Sequence, residues 1–315
     1  MWNSSERSVI VGAACSSLPF TVNMVQYVPS FTAYLVTLFT CVFNGISCSL
    51  TFLANLLVFA AILRKMELQT AQNISILFLA ATDLLVALIA QPSFLVFQAS
   101  KVKDTNGFSC HALAVYTTAV FICSGLSIVT VILITLERYF AIFYPFNYQR
   151  FVTKSKSVFF ISLVWSVWVF FVCYIRFKPG TNTTILSTIA SVLILTCFGL
   201  TAFVYFKVQK LVRRVHSEAT RTEQEHNNNT GNRLSDTKSS KTVGLIACSL
   251  VLCLLPTLLT SIVYQVKVVN KNYIYHIIYP ITDSFIFLSS SLNPVIYVFR
   301  SSRVRSSMKQ MLKRN

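Results

Sequence analysis

The chain has 315 residues, 54% of them hydrophobic and 12% charged, with a formal net charge of +17. A soluble domain carries about a quarter charged residues, so one soluble core is excluded. The basic excess does not describe a nucleic-acid surface either, because it lies between long apolar blocks: 20 of the 27 Lys/Arg fall in residues 64–73, 137–156, 207–241 and 300–315.

Residues 1–33 read as an arm, with Pro19, Pro29 and the acceptor sequon at Asn3. No charge occurs from Ser8 to Leu63. Val9–Ala14 is too short and lacks the basic flank of a cleavable signal, so the first apolar block is expected to direct insertion. Further blocks run over 74–99, 105–136, 157–175, 182–206, 242–266 and 273–299. Each approaches the 20 or so residues that cross a bilayer as a helix, the element that satisfies its own backbone in lipid. The expected fold class is therefore an all-α membrane protein, a seven-transmembrane helix bundle over 34–299 with a short amphipathic C-terminal helix. The 20 basic residues mark the cytoplasmic side. This places the N-terminus outside in a multi-pass membrane protein and turns the basic segments toward membrane lipid.

Between the fifth and sixth blocks lies a long cytoplasmic loop, about 207–241. Its stretch His216–Ser235 has no aromatic residue and one Leu and is expected to be flexible, whereas Lys207–Arg214 reads as a helical extension. In the tail, 300–315, Val304, Met308, Met311 and Leu312 alternate with six basic residues, which suits a helix on the inner leaflet. Six cysteines lie in apolar blocks, while Cys15 and Cys110 fall outside and Cys173 near an outer helix end. Cys110 paired with Cys15, paired with Cys173, or free are the three states left open. Asn182 is a second outer sequon, while Asn73 and Asn228 are sequons on the inner side and are expected to carry no glycan.

Catalytic signals are weak. None of the four His has a His or Cys partner at metal-ligand spacing, and no Gly-rich phosphate loop is present. An enzyme is not expected. Asn55, Asp83, Ser127 and Asn293 lie at related depths in four blocks. A carboxylate there must face the bundle interior, either as a polar knot between helices or as a switch or ion site.

The triplet Glu137-Arg138-Tyr139 closes the third block and is followed by Ala141-Ile142, Pro145 and Tyr148. Asn293-Pro294-Val295-Ile296-Tyr297 closes the seventh. With Leu79-Ala80-Ala81-Thr82-Asp83, Asn55 with Val58, Trp165, and Cys253-Leu254-Leu255-Pro256, the chain resembles the rhodopsin-like (class A) G-protein-coupled receptors along all seven helices. Three features depart from that pattern. Leu254 replaces a Trp, Cys197 lies near a missing Pro, and the short second outer loop has no Cys. Together they are similar to melanocortin, adenosine, cannabinoid and lysolipid receptors. Phe287 stands where a retinal-binding Lys would be, so no retinal is expected.

The resemblance implies a receptor for an extracellular ligand, of identity unknown from sequence, that acts on a heterotrimeric G protein. A signalling-silent ligand sink or dimer partner is the rival, and a transporter or channel a weaker one. The implied G-protein switch comprises Glu137, Arg138, Tyr139, Asp236, Tyr205, Asn293, Pro294 and Tyr297, with Asp236 closing a lock onto Arg138. The implied structural sodium site comprises Asp83, Ser127, Ser289 and Asn293, the rival being a protonated Asp83 bonded to Asn55 and Asn293. The expected ligand pocket comprises Tyr116, Val120, Phe121, Leu254, Tyr279, Asp283 and Phe287. Val120 stands where amine receptors carry an Asp. Asp283 is either the counter-ion of a cationic ligand or the internal partner of Arg176, Lys178 or Lys271.

Overall fold

The structure is a computed structural model and describes residues 30–103, 110–178, 184–221, 245, 248–249, 251–264, 266, 269, 273–300 and 305–306. Helix α1 is Phe31–Arg64. It opens on Ser30, whose side chain accepts from the Ala33 amide at 3.1 Å and so satisfies one orphan donor of the first turn. Helix α2 joins Ala71–Leu85, a π turn over Val86–Ala90, and Gln91–Lys103. Helix α3 is Cys110–Phe143 and the short α4 is Pro145–Phe151, with Pro145 in the first turn, where no amide donor is needed. Helix α5 is Lys154–Phe177, capped by Thr153, and α6 is Thr184–Arg221. Helix α7 is described over Val251–Tyr264. Helix α8 starts as a π turn, Ile274–Ile278, and continues over Tyr279–Arg300. Apart from α4, these are seven apolar helices in the expected order, and the chain is an all-α seven-helix membrane bundle.

Both π turns end two residues before a proline, Pro92 and Pro280. A helical proline has no N–H and its ring clashes with the carbonyl four residues back. Widening the preceding turn relieves that clash, and such bulges are frequent at functional sites. The second one carries Tyr275 and His276 into the wall of a cavity.

The bundle is polar inside along one seam. Thr37, Thr40, Asn44, Ser47, Thr51 and Asn55 repeat at three- and four-residue spacing and are all buried, whereas Leu38, Val42, Ile46, Leu50 and Leu53 on the other faces of α1 are exposed. In lipid, apolar contact gives helices no reason to associate, so hydrogen bonds and close packing do that work. Asn44 Nδ2 donates to Ser284 Oγ at 2.7 Å, Thr51 and Ser291 hydroxyls meet at 2.6 Å, and Asn55 Nδ2 donates to the Ser290 carbonyl at 3.1 Å. All three bonds tie α1 to α8. The apolar core is centred on α2, α3 and α7, with Val58, Leu79, Ile128, Val131, Leu254 and Ile286 in one cluster. Gly125 instead lets α3 pack closely on α5, where Trp168 joins a separate cluster with Val172 and Ile175. A Cβ there would lie 2.1 Å from the Trp168 ring, whose Nε1 donates to the Ile122 carbonyl at 3.2 Å.

Two boundaries differ from expectation. Helix α1 begins at Phe31, inside the expected arm, because Ser30 provides the cap. Helix α6 runs to Arg221, so His216–Arg221 of the expected flexible loop is helical. Extending an existing helix needs no new nucleus, and Arg, Glu and Ala in this stretch are good helix formers. Of the expected C-terminal helix, Arg305 and Ser306 are described and helical, and the remainder lies outside the described residues.

Candidate functional site

A cavity of about 220 Å³ lies between α2, α3, α5, α6, α7 and α8. Of the expected pocket residues, Tyr116, Val120, Phe121, Leu254, Tyr279 and Asp283 line it. Tyr116 Oη donates to Asp283 Oδ2, joining α3 to α8. The tyrosine is held for that contact by aromatic neighbours: its ring stacks on Phe97 at 5.4 Å and meets Phe94 edge-on at 5.3 Å. A second aromatic wall runs from Tyr264 to Tyr275 at 5.9 Å and from Tyr275 to Tyr279 at 5.4 Å. Leu254 is buried among the core side chains beneath the cavity.

Phe287 is a correction. It does not line the cavity but packs against Phe94 at 5.5 Å in the cluster behind Tyr116. Its position one turn from Asp283 places it on the same side of α8, yet deeper. Sequence reasoning also missed wall residues. Gln98, Tyr264, Tyr275 and His276 line the cavity, and so does Arg176, which had entered only as an internal partner for Asp283. Pro92 and Pro280 were the available signals for the shifted faces of α2 and α8.

Arg176 is 4% exposed, and its guanidinium carbon stands 5.3 Å from the centre of the Phe121 ring. Its Nε has no hydrogen-bond partner among the described residues, and those residues give it no ion pair.

Below the cavity, Asp83 is wholly buried and Asn293 Nδ2 donates to its Oδ2 at 2.9 Å. Ser127 and Ser289, expected beside it, are buried as well. Their hydroxyl protons go elsewhere: Ser127 donates to Thr82 Oγ1 at 3.3 Å and Ser289 to the Ile286 carbonyl at 2.6 Å. Their oxygens keep acceptor capacity. Asp83 Oδ1, Asn293 Oδ1 and Asn55 Oδ1 are buried without a donor among the described residues.

At the far end, Glu137 pairs with Arg138 at 3.0 Å, accepts from Ser75 Oγ at 2.8 Å and accepts from Tyr148 Oη at 2.7 Å. One carboxylate thus ties α2, α3 and α4. Tyr139 packs on Phe143 at 4.8 Å and on Phe203 of α6 at 6.1 Å. Tyr205, expected in the switch, stands apart from the Arg138 cluster in this structure. It is 51% exposed and accepts from Gln209 Nε2, one turn along its own helix, at 2.9 Å. Pro294 is a helical residue on the same turn as Asn293. Asp236 and the Tyr297 side chain lie outside the described residues, as do Cys15, Asn3, Asn182 and the Cys110 side chain. Cys173 is free, so the alternative bridge from Cys110 to Cys173 is not formed.

A polar-seamed seven-helix bundle with a side-chain-lined cavity at one end and an Arg–Glu cluster at the other is the architecture of a transmembrane signal receptor. The family described as 7 transmembrane receptor (rhodopsin family) matches residues 54–297. The chain belongs to this family and is a G-protein-coupled receptor. It is 27% identical over 281 residues to trace amine-associated receptor 13c of Danio rerio, across 79% of this chain and 78% of that one. It is 33% identical over 118 residues to the D(1B) dopamine receptor of Homo sapiens, a match covering 37% of this chain and 24% of that receptor. The Dopamine D2-like receptor of Drosophila melanogaster is 31% identical over 118 residues, 38% of this chain and 13% of that receptor.

Proposed function

We propose that the receptor is activated by a small cationic ligand whose charged group is neutralised by Asp283. The observation that carries this reading is the placement of an acid, 7% exposed, in the wall of an otherwise largely apolar and aromatic cavity. A buried carboxylate in a membrane helix is costly without a partner, and the tyrosine faces beside it attract cations. The names of the trace amine and dopamine receptors agree with this chemistry. In this chain the acid stands on α8, opposite Val120 of α3.

The work is transduction rather than catalysis. The Tyr116–Asp283 bond links α3 to α8, so a ligand cation that recruits the carboxylate alters that link. The ligand then shifts the bundle between two states in proportion to its differential affinity for them. At the other end, Arg138 is the group to be released toward the G protein; Glu137 holds it, and Asp236 would close the lock expected from the sequence. The basic segments support a cytoplasmic position for this end, with the N-terminus outside the plasma membrane. Glycan on Asn3 or Asn182, and its absence from Asn73 and Asn228, is the corresponding expectation, and a glycan on Asn228 reverses the orientation.

The oxygen set around Asp83 fits a sodium ion. Asp83 Oδ1 and Asn293 Oδ1 are buried oxygens lacking donors among the described residues, and hard cations take oxygen ligands and offset a buried carboxylate. Asp83, Ser127, Ser289 and Asn293 would hold it, and it would supply charge neutralisation in the resting state.

The deciding experiment for the ligand class is Asp283→Asn, which keeps shape and removes charge. With receptor at the surface, potency of an amine agonist is expected to fall by about 2–5 kcal/mol, the cost of leaving one buried charge unpaired. Unaltered potency would remove Asp283 from ligand recognition.

A further inference from the structure

The cavity that holds Asp283 also holds a cation. Arg176 comes from the last turn of α5, lines the cavity and is almost wholly buried. A guanidinium is charged at every accessible pH, and burying it without a counter-charge carries a desolvation penalty of several kcal/mol. The face of Phe121 offsets part of this, since a desolvated cation is attracted to the face of an aromatic ring. No carboxylate among the described residues makes an ion pair with Arg176, and its Nε has no acceptor. Gln98 of α2 lines the same cavity at 0% exposure, with neither amide atom hydrogen-bonded among the described residues. Buried polar groups are as a rule satisfied, and the Arg176 and Gln98 donors, with the Thr257 hydroxyl, on the walls of one cavity suit a ligand that brings an acceptor.

We infer that the cavity takes a small amphoteric ligand, with its ammonium group on Asp283 and a carboxylate on Arg176, to which the Gln98 amide offers a further donor. The inference rests on the Asp283 reading for the ammonium half alone. A carboxylate matches the planar fork of a guanidinium through two parallel hydrogen bonds. The cavity, about 220 Å³, is smaller than the roughly 300–1,000 Å³ of sites for drug-sized ligands, which limits the ligand to the scale of an α-amino acid. The aromatic walls between the two charges, Phe121 on one side and Tyr264, Tyr275 and Tyr279 on another, suit an apolar or aromatic body.

The test uses the full-length receptor in cells with a promiscuous G-protein readout. The probes are α-amino acids with aromatic or aliphatic side chains, each matched to the amine left by its decarboxylation and to the carboxylic acid lacking its amino group. At least one amino acid is expected to exceed both matched compounds by tenfold or more. Arg176→Gln should lower that amino acid at least tenfold more than its amine and so close the gap between them, while Arg176→Lys retains part of the difference. Gln98→Leu should lower the amino acid several-fold more than the amine. Surface labelling, and the melting temperature of purified receptor with and without the amino acid, separate lost binding from lost folding. If Arg176→Gln does not reach the surface, the Lys and Leu variants decide. Amines as potent as their amino acids in every pair, equal loss of both in Arg176→Gln, or no response or thermal shift with any amino acid would overturn the inference. An active amine with an inactive amino acid sinks the carboxylate half and leaves the Asp283 reading intact. An amino acid no better than its des-amino acid, with Asp283→Asn silent, sinks the Asp283 reading instead.

Discussion

Asp83 and Asp283 are the same side chain in the apolar helices of one bundle, yet their surroundings differ. Asp83 is enclosed. Asn293 reaches it from α8, and the neighbouring polar groups of α1 and α8 bond to one another across the seam. Asp283 opens onto a cavity and shares its exposed wall with aromatic rings and a buried guanidinium. A carboxylate whose partners belong to packed helices holds those helices together. One that accepts from a hydroxyl at a cavity edge can exchange that donor for another. On the proposed reading the two acids divide the labour: the enclosed acid would help set the resting state, and the open acid would take part in the step that perturbs it.

The largest effect is expected at the open acid. Tyr116→Phe deletes the hydroxyl that donates to Asp283 and leaves the ring stacked on Phe97. A hydrogen bond to a charged group contributes about 1.5–3 kcal/mol, so agonist response should shift by roughly 10- to 100-fold. The direction is informative. Lower potency means that Tyr116 positions the carboxylate for the ligand. Higher basal signalling with higher potency means that the bond stabilises the resting state. No change in either quantity at matched surface level breaks the distinction between the two acids.

A smaller effect is expected where a carboxylate is again enclosed by helices. Glu137 accepts from Ser75 and Tyr148 and pairs with Arg138. Glu137→Gln keeps the shape but weakens three contacts and frees Arg138. A net change of about 1 kcal/mol alters a two-state ratio about fivefold, so basal G-protein turnover should rise by up to about that factor. Basal activity equal to wild type at matched expression removes Glu137 from the resting-state restraint.

The contrast between these regions was partly legible in the sequence. Lipid imposes an all-or-none demand on backbone hydrogen bonds, so each helix is written as an uninterrupted apolar block. Asp83 and Asp283 stand out in those blocks because charge is so rare there. The cavity wall was harder to read. Helical periodicity assigns faces only while the turn stays at 3.6 residues, and the π turns before Pro92 and Pro280 shift every face beyond them. That shift brings Tyr275 and His276 into the wall. Arg176 stands in the last turn of α5, where spacing does not tell an inward side chain from one reaching for water. The polar face of α1 was visible as Thr, Ser and Asn residues, but its partners on α8 follow from the packing of two helices more than 200 residues apart. Phe287 illustrates the converse: one turn is enough to pass from the cavity to the core beneath it.

The smallest change in potency, and the sharpest test of the comparison, comes from giving Asp83 the substitution already proposed for Asp283. In Asp83→Asn the side-chain oxygen still accepts from Asn293 Nδ2, so the bond between α2 and α8 seen at 2.9 Å keeps its geometry. It changes from a charge-assisted to a neutral hydrogen bond, a difference of about 1 kcal/mol. Agonist potency in sodium-free medium should therefore stay within about fivefold of wild type. What disappears is the negative charge that would hold a hard cation against the buried oxygens of Asp83 and Asn293. Replacing external sodium by a large organic cation should raise agonist affinity in wild type and have no effect in Asp83→Asn. Equal sodium dependence in the two receptors, or none in wild type, leaves Asp83 as a neutral hydrogen-bonding knot between helices. A collapse of potency in Asp83→Asn as deep as that in Asp283→Asn would show that enclosure does not separate the two acids, and the division between holding and responding would fail with it.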